Sequence, residues 1–115
     1  MSVGEIALVH LAERIGGAVA ELRREAVTAV VRQRRLREEL SQVQGEAALI
    51  EEKASRALRR KEDTLARRIL ARGISTLKTR DALEEDIVDA RRRVSEILTA
   101  LVRAEDRAWN LPTAR

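Results

Sequence analysis

Apolar residues recur at alternating spacings of four and three through Ile15, Val19, Leu22, Ala26, Ala29, Gln33, Leu36, Leu40, Val43, Ala47, Ile50, Ala54 and Ala57, with Gln33 the polar member. Such a repeat keeps one narrow stripe of a helix turned toward one partner, so it commits the chain to helix-on-helix packing along a seam. A second register runs through Ala66, Ile69, Gly73, Thr76, Arg80, Leu83, Ile87, Ala90, Val94, Ile97, Leu101, Ala104 and Ala108, and is strongest from Leu83 onward. The two do not join. Ala57 to Ala66 is a step of nine residues across Arg59-Arg60-Lys61-Glu62-Asp63, a stretch with no apolar side chain. The chain is therefore expected to reverse near residues 60–63, with Asp63 or Thr64 capping the incoming helix. The rival turn is Gly73, a common helix terminator, but it would leave about half of the first seam without a partner on the second arm.

The fold class that follows is all-α, a long antiparallel two-helix coiled-coil hairpin forming a single unit. Arm one covers about residues 3–59, arm two about 63–109, and a short tail 110–115. Composition agrees. Of the 115 residues, 44% are hydrophobic and 37% charged, but only 1% are aromatic, a mixture suited to a narrow seam rather than a round core. The single proline is Pro112, so nothing forbids helix over the first hundred residues. Ser2 and Glu5 have capping-box spacing. Gly16-Gly17 suggests a kink or close packing.

Charge tests the turn independently. Residues 23–37 carry a net +5, 38–52 carry −5, 53–80 carry +8 and 81–90 carry −5. With the turn near Lys61, residue i faces residue 123 − i. Asp81, Glu84, Glu85, Asp86 and Asp89 then lie beside Arg34, Arg35 and Arg37, while Glu38, Glu39, Glu46, Glu51 and Glu52 lie along Arg72, Lys78 and Arg80. Opposite charges flanking a seam select orientation and register.

The segment Glu52-Lys53-Ala54-Ser55-Arg56-Ala57-Leu58, followed by Glu62-Asp63-Thr64-Leu65-Ala66-Arg67, resembles the hairpin tip of the phage shock protein A and vesicle-inducing plastid protein family, a bacterial branch of the ESCRT-III superfamily. The likeness extends as gap-free heptads over roughly residues 5–109. It implies a self-assembling membrane-remodelling or stress-response protein, cytoplasmic and peripheral at the inner membrane, with an anionic membrane surface or an AAA+ type protein as partner. It also implies a short, hairpin-only member, since the first residues correspond to the start of the long hairpin helix.

Catalysis, cofactors and metals are not expected. His10 has no Cys or His at ligand spacing, so helix surface is its expected place. Glu84-Glu85-Asp86-Asp89 has no loop of alternating ligands, Ser75-Thr76 no neighbouring base, and Gly16-Gly17 no phosphate-binding continuation. Without cysteine there is no thiolate chemistry. Arg32-Gln33-Arg34-Arg35-Leu36-Arg37 and Arg91-Arg92-Arg93 are basic enough for nucleic acid. Both have acidic neighbours across the hairpin, and Trp109 is the only aromatic, so nucleic acid is not the expected partner.

The candidate working surface is the tip, where Lys53, Arg56, Arg59, Arg60, Lys61, Arg67 and Arg68 face only Glu62 and Asp63 between residues 53 and 70. A second feature is apolar residues off the seam: Leu8, Val27, Val31, Leu49, Leu58, Leu70, Ile74, Leu77, Val88, Leu98 and Val102 exceed what two helices can cover. Self-association into homo-oligomers is the expectation they raise. Trp109 is either packing near the hairpin base or an anchor for a partner. Two other classes share this physics: an unrelated coiled-coil adaptor or stalk component with no membrane role, and a basic nucleic-acid-binding hairpin.

Overall fold

The computed structural model describes residues 2–110, in which α1 spans Val3–Arg59 and α2 spans Asp63–Trp109. The two helices pack against each other as an antiparallel helical hairpin. The proposed tail, 110–115, falls outside the described residues beyond Asn110. The start of α1 is closed reciprocally: the Glu5 amide donates to Ser2 Oγ and the Ser2 amide to Glu5 Oε2, both at 3.2 Å. Two of the amides that a helix start leaves without an intrahelical partner are satisfied in this way.

Reversal occurs where the register breaks. The Glu62 amide donates to the Ala57 carbonyl at 2.9 Å and the Lys61 amide to the Leu58 carbonyl at 3.0 Å. This nested pair is a Schellman ending, in which the residue after the C-cap adopts left-handed geometry. That residue is Lys61, with φ 61°. The first α2 bond runs from the Ala66 amide to the Glu62 carbonyl at 3.0 Å, so Glu62 holds the cap position expected of Asp63 or Thr64. Asp63 is instead the first helical residue, its carboxylate in the turn that carries the positive end of the helix dipole. Glycine is the usual residue at the left-handed position because it lacks the Cβ that crowds the following carbonyl. Lys61→Gly is therefore expected to stabilise the hairpin by about 1 kcal/mol in denaturant unfolding.

Contacts divide the hairpin into two units, one holding residues up to Val31 with those from Ala90 onward, the other Arg32–Asp89. In the first unit, Ala26 and Ala29 pack around Ile97, with Val94 against them. Arg23 bonds Glu105 at 3.2 Å and Arg93 reaches Glu25 at 3.8 Å. In the Arg32–Asp89 unit, Ala47, Ala54, Ala57, Ala66, Leu83 and Ile87 are buried, and Ala47 is wholly inaccessible. Every seam position of both registers is buried or half-buried except Ala108, in the last turn of α2. The half-buried set includes Leu22, Leu36, Leu40, Val43, Ile50, Ile69, Val94 and Leu101.

Small and large residues interdigitate along this seam, as knobs-into-holes packing requires. Gly73 is the clearest case. It lies buried inside α2, and a Cβ built on it would sit 2.6 Å from Ile50 Cγ2 and 2.7 Å from Ile50 Cδ1. The rival reading of Gly73 as a turn fails, because this glycine admits a close approach rather than ending a helix. Gly16 and Gly17 differ: both lie within α1, and a methyl on either would meet nothing within 4 Å, so close packing is not their role.

The polar seam position Arg80 is held from two sides. Its side chain is 18% exposed and donates to Glu51 across the seam and to Asp81 on its own helix, the latter pair at 3.0 Å. Hydrogen bonds to Glu51 first and Asp81 second raise its pKa above the ordinary arginine value. Glu51 with Arg80 fulfils one of the expected cross-arm matches. The matches expected of Arg34, Arg35 and Arg37 are not direct bonds: none makes an ion pair with the acidic run among the described residues. Long arginine side chains facing water gain too little from exposed pairing to hold one geometry.

Candidate basic tip

The tip is built by the Schellman ending. The last two turns of α1 carry Lys53, Arg56 and Arg59, the connection carries Arg60 and Lys61, and the first turns of α2 carry Arg67 and Arg68. All seven side chains are exposed. Left-handed geometry at Lys61 folds the chain back within two residues, so charges that are consecutive in sequence fan out around one end of the Arg32–Asp89 unit.

Three of the seven converge. Lys53, Arg56 and Arg60 line one shallow concavity with Glu62, and its floor is made by Ala57, Leu65 and Ile69. Arg59, Lys61, Arg67 and Arg68 lie outside it. Arg56 is also less available than a count of charges implies, because it bonds Glu52 one turn earlier at 2.7 Å. An i,i+4 pair on a helix forms at little entropic cost and wins over a longer reach. What remains is Lys53 and Arg60, with Glu62 between the helices, around a small apolar floor, and the other four tip cations outside it. That arrangement suits a ligand with clustered anionic oxygens and some apolar character nearby.

The other candidate features take definite places. His10 is exposed on α1, as expected for helix surface. Trp109 is 87% exposed at the end of α2 and borders a shallow groove with Val19, Arg23, Glu105 and Ala108. Of the off-seam apolar residues, Leu8 and Leu77 are half-buried, whereas Val27, Val31, Leu49, Leu58, Leu70, Ile74, Val88, Leu98 and Val102 are exposed. Leu8 precedes Ile15 by seven residues and so belongs to the seam spacing itself. Among the described residues no helix is long and apolar enough to cross a membrane.

Comparison of the chain with protein-family models, curated proteins and solved structures finds no match.

Proposed function

We propose that the hairpin acts by binding and assembly, without catalysis, and that its basic tip engages an anionic membrane surface in the manner of the ESCRT-III-like membrane-remodelling proteins its tip segment resembles. The observation that carries this reading is the exposure of seven cations around one turn, three of them sharing a concavity with an apolar floor. A headgroup phosphate supplies the anionic oxygens such a cluster attracts. The protein then works as a peripheral cytoplasmic component, with an AAA+ type partner as the family resemblance suggests. Reach matters as well: none of the seven tip cations occupies a seam position, so the tip can be occupied without disturbing the packing that holds the arms together.

The test is the triple variant Arg59→Glu, Arg60→Glu, Lys61→Glu in flotation with vesicles containing anionic or only zwitterionic phospholipid. Helicity is expected to stay at the wild-type level. Wild-type protein should float with anionic vesicles at low salt, lose binding as ionic strength rises through the range where charges are screened over about 8 Å, and ignore zwitterionic vesicles. The reversed protein should stay at the bottom of the gradient. Equal flotation of the two proteins at low salt would reduce the tip to a solvated helix end and leave the adaptor or stalk reading in its place.

A further inference from the structure

We propose that a second copy of this chain docks antiparallel on the outer face of α2 in the Arg32–Asp89 unit, along Leu70, Ile74 and Leu77. This rests on the assembly reading above and deepens it by naming the face and its orientation.

Spacings of four and three place Leu70, Ile74 and Leu77 on one stripe of α2, separate from the seam residues Ile69, Gly73, Thr76 and Arg80. Leu70 is 37% and Ile74 47% exposed, and Leu77 is half-buried beside the seam. The opposite flank of the same segment carries Arg68, Arg72, Ser75 and Thr79, all exposed, and offers no apolar stripe. One side of α2 is therefore built for water and the other for a partner.

Charge identifies the partner. Arg67 lies one turn before Leu70 on the stripe, while Asp81 and Glu84 follow Leu77 by one and two turns. Arg67 and Glu84 make no ion pair among the described residues, and Asp81 uses Oδ1 to accept from Arg80. The stripe is thus basic at Arg67, apolar through Leu70, Ile74 and Leu77 with Lys78 on its border one turn after Ile74, and acidic at Asp81 and Glu84. Two such stripes laid antiparallel put Arg67 of each copy against Asp81 and Glu84 of the other, with Leu70, Ile74 and Leu77 meeting around a two-fold axis. A parallel arrangement sets arginine on arginine and carboxylate on carboxylate. Self-complementarity of this kind is the mark of an isologous dimer interface. A contact of about three helical turns is smaller than the ~1,000 Å² of a persistent interface, so the dimer is weak and concentration-dependent.

Sedimentation velocity and light scattering over a concentration series provide the test, reading mass rather than vesicle binding. The wild-type mass should rise toward that of two chains. Ile74→Glu should stay monomeric with unchanged helicity, since the side chain it replaces is half exposed. Arg67→Glu alone, and Asp81→Lys with Glu84→Lys, should each weaken dimerisation by about tenfold or more through like-charge contacts. An equimolar mixture of those two variants should restore it, because every reversed contact is again opposite in sign. A wild-type chain that remains monomeric throughout overturns the docking face, while vesicle flotation independently decides the tip. Self-association that survives Ile74→Glu places assembly on another face, and a mixture that fails to recover overturns the antiparallel orientation.

Discussion

Ile87→Asp is expected to destabilise the hairpin by about 3–5 kcal/mol, while Val88→Asp, one residue along, should change stability by less than about 0.5 kcal/mol. The two substitutions install the same carboxylate in the same helix. They differ in burial: Ile87 is 8% exposed on the seam, where the register faces it toward Leu36, whereas Val88 is 62% exposed. At position 87 the loss combines about 1.5–3 kcal/mol of apolar burial with the cost of desolvating a charge. Asp81, Glu84, Glu85, Asp86 and Asp89 supply no compensation along α2 and add like-charge repulsion. The acid is therefore expected to bind a proton more readily than an ordinary aspartate. Lowering pH through the elevated folded-state pKa should then recover part of the lost stability, as linkage requires when the folded state holds the proton more tightly. Urea unfolding followed by far-UV circular dichroism checks both variants. Equal midpoints for Ile87→Asp and the wild type would remove the seam as the source of stability.

Period and register were legible from residue spacing because a helix imposes them on every seam position at once. The break between Ala57 and Ala66 located the turn, and the capping box at Ser2 and Glu5 needed only local chemistry. What escaped depends on neighbours distant in sequence or on local competition. Lys61 takes left-handed geometry although nothing in its side chain announces it; the two bonds of the Schellman ending hold it there. Arg56 adds to the charge surplus of the tip in the sequence, yet Glu52, one turn away, holds its guanidinium. The cross-arm pairing of Arg34, Arg35 and Arg37 followed from summed charge, which sets register without obliging any one arginine to close a bond. Arg23 with Glu105 and Glu25 with Arg93 are cross-arm pairs that do form in the other unit, and summed block charge does not single them out. The tip residues were visible as a surplus of charge. Which three of them share a concavity was not, because that depends on the direction in which the turn sends the chain.

Gly73 offers the sharpest expected result, a change in the sign of one substitution with the identity of one neighbour. In the wild-type background Gly73→Ala should destabilise by about 1–2 kcal/mol, even though alanine exceeds glycine in helix propensity by nearly 1 kcal/mol. The reason is the approach of 2.6 Å to Ile50 Cγ2, 2.7 Å to Cδ1 and 3.0 Å to Cγ1. Ile50 is β-branched and on a helix, so it has essentially one comfortable χ1 and cannot swing away cheaply. Ile50→Ala removes all three of those atoms and should itself cost about 2–4 kcal/mol. In that background Gly73→Ala meets no crowding, regains its propensity advantage and fills part of the space left behind, so it should stabilise by about 1 kcal/mol. The coupling between the two positions then comes to about 2–3 kcal/mol, at the upper end for residues in direct contact. Gly45→Ala serves as the control. It lies in the same unit, a methyl there meets nothing within 4 Å, and it should stabilise by about the propensity difference in either background. The four proteins of the cycle, unfolded in urea under one condition, decide the matter. Additive effects would mean that Ile50 and Gly73 do not meet, and would break the register in which residue i faces residue 123 − i.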